Sequence, residues 1–175
     1  CACNTGCCGD ENINQIEDIK KIIIDFLYLD LDICTRCQGT EKGLEEAIED
    51  VAEVLQLTGI EVVVNKIHIN NKEKAIQHKF ISSPTIRVNG GDIQMKVKES
   101  LCESCGDLCG DDVDCRVWVY KGKEYNAPPK AMIIDAILRE VYGDSKTSIN
   151  GESNTETYQL PENLRRFFKS IDKIR

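Results

Sequence analysis

The chain has 175 residues and carries 22 Lys and Arg against 30 Asp and Glu, a formal net charge of −8. That length suits one domain of ordinary size plus appendages, and the acidic balance excludes a general electrostatic footprint for nucleic acid. The longest apolar segments are broken by Asp25, Asp30 and Asp32, short of the roughly 20 apolar residues that a helical membrane span needs, so a soluble, cytoplasmic protein is expected.

Ten cysteines are many for such a chain. The chain is nevertheless too long and too rich in aliphatic residues to be a small disulfide-stapled scaffold, so the thiols point to chemistry. Residues 1–20 read as a Cys-rich arm. Its opening stretch CACNTGCCGDEN has four cysteines and no hydrophobic periodicity. The missing initiator Met leaves room for a segment removed upstream of Cys1, an acylated lipoprotein start being the less favoured explanation.

A domain is expected over residues 21–143. Residues 22 to 33, IIIDFLYLDLDI, alternate as a strand and lead directly to Cys34 and Cys37 in a CxxC. Such a pair can hold a metal, close a disulfide or exchange electrons. A helix starts at the motif, with Leu44, Ala47, Ile48, Val51, Ala52 and Leu55 at three- and four-residue steps until Gly59. The β-branched run IEVVVNKIHI (Ile60 to Ile69) reads as a strand covered on both faces, and a strand, helix, strand order implies a right-handed crossover and a parallel pair. A short helix over Lys72 to Phe80 precedes a strand from Thr85 to Val88, entered directly after Pro84, and Asn89-Gly90-Gly91 supplies turn chemistry. DIQMKVK (Asp92 to Lys98) alternates as a further strand, and Cys115 to Tyr125 forms a hairpin turning at Gly122. A helix after Pro128-Pro129 carries Ile133, Ile134, Ile137, Leu138 and Val141. Residues 144–175 comprise a polar linker and an amphipathic tail helix starting at Pro161, with Leu164, Phe167, Phe168 and Ile171 on one face. That helix is expected to dock on its own domain in preference to a partner.

The element order β-α-β-α-β-β-α, with a CxxC after the first strand and Ser-Pro-Thr entering the third, is that of an α/β, thioredoxin-like fold. The runs LYLDLDICTRCQGTEKGLEEAI, SSPTIRVNG, ESLCESCGDLCGDDVDCRVWVYKGKEY and APPKAMIIDAIL together resemble the DUF2703 family of the thioredoxin-like superfamily, over about residues 22 to 142. The resemblance implies a cis proline at Pro84, packed against the CxxC, where a bound peptide or thiol substrate can pair with a backbone carbonyl.

The expected activity is thiol-disulfide exchange. Cys34, at a helix N-terminus, is the expected nucleophile and Cys37 the resolving thiol. Arg36 adds a positive neighbour, Asp32 opposes it, and Thr35, Arg36, Ser83, Pro84 and Thr85 are the expected substrate contacts for a protein or small-molecule thiol or disulfide. The motif departs from ordinary thioredoxins, which have a Trp before it and Gly-Pro where Thr35-Arg36 stands here.

A second cluster, LCESCGDLCGDDVDC, forms a Cys-rich insertion before the last strand. Cys102, Cys105, Cys109 and Cys115 could enclose one tetrahedral Zn ion or an iron-sulfur cluster, with Gly106 and Gly110 letting a loop fold around it. Two local disulfides, or free thiols feeding electrons to Cys34, are the alternatives. Glu103, Asp107, Asp111, Asp112 and Asp114 add negative charge that favours a bound cation. The alternative function is therefore handling of a soft metal or metalloid, Zn, Cu(I), Hg(II) or As(III), on a thioredoxin-like scaffold. His68 and His78 are too far from either motif to serve as ligands, and Trp118 and Tyr120 read as sheet packing.

Overall fold

A computed structural model describes residues 20–143 and 158–174. The thiol-rich arm and the polar linker lie outside the described residues. β1 (Lys20–Tyr28) carries Ile22, Ile24 and Phe26 at the two-residue period of a strand, and all three are buried. They face α1 (Thr35–Leu57), whose Leu44, Ala47, Val51 and Leu55 form the buried stripe that the three- and four-residue spacing predicts. Gly59 follows α1 at φ +75°, the left-handed geometry that glycine adopts without a Cβ clash.

β2 (Ile60–His68) pairs with β1 in parallel, Ile22 opposite Val62, as the crossover requires. Its burial differs from the expectation. β2 is the outer strand of the order β2-β1-β3-β4, and Val64, Asn65 and Lys66 are exposed. An edge strand lacks a neighbour on one side, and here Lys66 reaches Glu41 and Glu45 of α1 at 2.8 and 2.7 Å instead of packing.

α2 (Lys72–Gln77) leads to β3 (Thr85–Val88), antiparallel to β1, and then to β4 (Gly91–Asp92). The single strand expected over 92–98 is broken. Buried Gln94 takes over the role of a strand neighbour, donating from Nε2 to the Val117 carbonyl at 3.0 Å and accepting the Val119 amide on Oε1 at 2.6 Å. The chain then enters a second sheet of order β5-β6-β7, made of β5 (Lys98–Leu101), β6 (Asp114–Tyr120) and β7 (Lys123–Tyr125), with the β6-β7 turn at Gly122. Between β5 and β6, the segment read as a loop contains α3 (Glu103–Cys109). α4 (Lys130–Tyr142) packs on α1, and α5 (Glu162–Ile174) packs on α2 and α3, burying Leu164, Phe167 and Phe168 on the chain's own surface.

The result is a mixed α/β molecule with two apolar clusters. One, under α1 and α4, is built of aliphatic and aromatic side chains. The other lies at the C-terminal end of β1 and contains Leu27, Leu29, Phe80 and the α5 aromatics together with six cysteines. No helix among the described residues is long and apolar enough to cross a membrane.

A candidate four-thiol metal centre

Cys34 is the residue before α1, extended at φ −73° and ψ 103°, and its Sγ accepts the amide of Cys37 at 3.4 Å. Cys102 holds the same position before α3, at φ −117° and ψ 102°. The two turns face each other. Thr35 Oγ1 and Ser104 Oγ, one from each turn, share a hydrogen bond of 3.2 Å. Arg36 closes the junction: Nη1 donates to the carbonyls of Ser100 and Cys115 at 3.2 and 3.0 Å, and Nη2 donates to the Leu101 carbonyl and Ser100 Oγ at 2.8 and 2.9 Å. One planar guanidinium thus fixes β5 and β6 against the start of α1, a fork geometry that an ammonium group cannot reproduce.

These contacts bring Cys34, Cys102, Cys105 and Cys115 together in the buried interior, with ligand sulfurs all within 4.8 Å of one another. Cys115 Sγ donates to Cys105 Sγ at 3.4 Å, and the six described cysteines are free thiols. A tetrahedral ion with Zn–S bonds of 2.3 Å sets its sulfurs about 3.8 Å apart, close to this spread, so the four residues could hold one metal ion. An iron-sulfur cluster distributes its thiolates over several iron atoms and suits a wider set.

The four-thiol set read from the sequence differs by one member. Cys109 lies outside the group: it follows Cys105 by one helical turn, about 6 Å along the axis, and its Sγ turns to the Asp111 carbonyl at 3.5 Å. Cys34, read from the sequence as half of a separate dithiol, stands in the group instead. The repeat of the Cys34-x-x-Cys37 spacing in Cys102-x-x-Cys105 is the signal that the two motifs are alike.

The electrostatics follow from crowding. Hydrogen bonds from the Cys102, Cys105, Cys115 and Cys37 thiols hold the Cys34 thiol far below its ordinary value. Thiol hydrogen bonds from Cys105 and Cys115 bring Cys102 down to about 7. Cys105 and Cys115 are pushed up, first by their hydrogen bonds with Cys102. Thiols that share one pocket cannot all ionise without a cation among them. The nearby Glu103, Asp107, Asp111 and Asp112 are exposed and point their charge at solvent.

Cys37 is also fully buried and neighbours Cys34 without being one of the four, and its Sγ lies 3.3 Å from Ser83 Oγ. Ser83 joins several elements at once. Its Oγ accepts the Leu29 amide at 3.1 Å, and its carbonyl accepts the Arg116 amide of β6 at 2.7 Å. The Ser83–Pro84 peptide is cis. Ser83, Pro84 and Thr85 are buried, whereas Thr35 and Arg36 line a cleft of about 480 Å³ together with Cys102, Ser104 and Asn126. Cys102, 3% exposed where the other three thiols are at 0%, is the member of the set that borders this cleft. Next along β6, Arg116 is fully buried, bidentate to Asp92 at 2.8 and 2.8 Å and stacked over Trp118 at 5.1 Å, which pins the strand carrying Cys115.

A family model described as a domain of unknown function (DUF2703) matches residues 22–137. The chain is also 27% identical over 99 residues to an uncharacterized protein of Archaeoglobus fulgidus, an alignment that covers 55% of this chain and 70% of that protein. No solved structure matches the chain.

Proposed function

We propose a metal-thiolate function for this chain, which belongs to the DUF2703 family: Cys34, Cys102, Cys105 and Cys115 bind one soft divalent ion of the Zn class, on an α/β scaffold that we read as thioredoxin-like. The observation that carries the proposal is the convergence of four buried thiols from three separate elements within 4.8 Å. Four thiolates in tetrahedral reach suit Zn, or a single iron, better than oxygen-seeking Mg or Ca. When bound, the ion would neutralise thiolates that otherwise suppress one another's ionisation. Arg36 and the Thr35–Ser104 hydrogen bond hold the two cysteine turns in register, and the α5 aromatics exclude water from the α3 side.

A second reading is thiol-disulfide exchange by Cys34 and Cys37. The hydrogen bond from the Cys37 amide to Cys34 Sγ and the place of Cys34 before a 23-residue helix support it. Against an external protein substrate stands the Ser83 carbonyl. A substrate backbone expected to pair there meets a carbonyl already taken by the amide of Arg116, the residue after Cys115 in the chain's own β6. The metal reading therefore leads.

The test is native mass spectrometry of protein purified without oxygen and titrated with Zn²⁺ or Co²⁺. One equivalent bound, with cobalt-thiolate absorption and release on acidification as the thiolates regain protons, is the expected outcome. A metal-free mass at saturating ion, with turnover of a disulfide substrate that depends on Cys34, would replace it with the dithiol reading.

A further inference from the structure

We propose that Cys37 is a redox release for the metal: oxidation joins Cys34 to Cys37, withdraws one of the four ligands and frees the ion. The inference rests on the metal-centre reading above. It starts from the position of Cys34, which belongs to two constellations that cannot operate together. In one it is a member of the four-thiol set. In the other it is the first residue of a CxxC turn whose second cysteine donates its amide to the Cys34 Sγ at 3.4 Å. With an ion bound, Cys102, Cys105 and Cys115 are engaged as ligands, and Cys37 is the neighbouring sulfur left to react with Cys34.

Cys37 has no other evident task. It is completely buried, lies outside the ligand set, and is held by the Ser83 hydroxyl, itself fixed by the Leu29 amide. A thiol kept solely for packing needs no such orientation. The cleft walled by Thr35 and Arg36, the two residues between Cys34 and Cys37, gives a small oxidant an approach to the edge of the set at Cys102.

The chemistry balances with hydrogen peroxide as oxidant. The Cys34 sulfur bonds to one peroxide oxygen as the O–O bond breaks, giving a sulfenic acid and hydroxide, which takes a proton from solvent. The Cys37 sulfur then displaces the sulfenic oxygen as water, forming the Cys34–Cys37 disulfide. Two sulfurs lose two electrons in total, the peroxide gains them, and two waters leave. The ion keeps three thiolates and is bound roughly 100-fold or more weakly, one ligand's share of a four-thiolate site. A dithiol reductant reverses the step by exchange, restoring both thiols and the fourth ligand.

The experiment uses the full chain loaded with Zn²⁺ in the absence of oxygen and treated with one equivalent of hydrogen peroxide. Zinc release is followed with a chromogenic chelator, and disulfides are mapped by mass spectrometry after alkylation. The wild type is expected to release zinc, to show the Cys34–Cys37 disulfide, and to take the ion back after dithiothreitol. Cys37→Ser is expected to bind zinc with the same stoichiometry and to release it at least tenfold more slowly. Cys37→Ala serves as a second variant, and cobalt-thiolate absorption reports an intact site in each. Release from both variants at the wild-type rate, or a wild-type disulfide mapped to Cys102–Cys105, overturns the proposal. A loaded wild type that keeps its zinc against peroxide overturns the release alone, whereas a wild type that takes up no metal removes the metal-centre reading as well.

Discussion

Cys34-Thr35-Arg36-Cys37 opens a helix of 23 residues, and Cys102-Glu103-Ser104-Cys105 opens one of seven. In both, the first cysteine precedes the helix in extended geometry and the second lies three residues on, though only Cys34 accepts the amide of its partner on Sγ. Their fates differ. Both thiols of the α3 turn join the four-thiol set, while the α1 turn contributes Cys34 and sends Cys37 to Ser83. The cause is what each helix lies against. α1 is pressed onto the first sheet, so its inward thiol meets the loop before β3. α3 rests between β6 and α5, so its inward thiol meets Cys115. Spacing orients a pair of thiols, and packing decides which partner each one meets.

The sharpest way to break this comparison is to exchange the roles it assigns. Cys34→Ser should weaken Zn²⁺ binding by roughly 10²–10³-fold, about a quarter of the 10–16 kcal/mol typical of a structural zinc site, as read by competition against a chelator of known affinity. A wild-type affinity in that variant would return the ligand set to the insertion alone. Next in size is the support of the α3 turn by α5. Phe167, 4% exposed in the cysteine-bearing cluster, should cost about 3 kcal/mol of stability when changed to Ala, measured by urea unfolding of the apo protein. Loss under about 1 kcal/mol would mean that α5 is a peripheral cover.

The junction between the turns comes third. Arg36→Ala removes donors to four carbonyls that position β5 and β6, and should lower metal affinity by about 10- to 100-fold, the range for groups that orient ligands. Arg36→Lys should recover little of it, since one ammonium cannot span those oxygens. Equal affinity in all three proteins would show that the turns find their register without the guanidinium. The smallest effect belongs to Cys109→Ser, which should change the affinity by less than about twofold, because this thiol faces the Asp111 carbonyl. A loss comparable to that of Cys34→Ser would sink the present assignment of the fourth ligand.

Much of the scaffold was legible in the sequence, because its elements are periodic and amphipathic. The stripe Leu44, Ala47, Val51 and Leu55 announces α1, the alternation around Ile22, Ile24 and Phe26 announces β1, and Gly122 marks the β6-β7 turn. The errors fell where burial depends on a distant neighbour. The apolar run of β2 reads as a strand covered on both faces and is a partly exposed edge, and Asp92 to Lys98 reads as one strand but breaks where Gln94 bonds to β6, 23 and 25 residues away.

By itself, the sequence determined the α/β element order, the helix-opening CxxC at Cys34 and Cys37 and the presence of enough thiols for a tetrahedral site. Only the tertiary structure decided that Cys34, rather than Cys109, completes the set with Cys102, Cys105 and Cys115. Neighbours along the chain compete for the same helical turn and are separated by its rise, whereas residues from two helix starts and a strand can converge on one point from different directions.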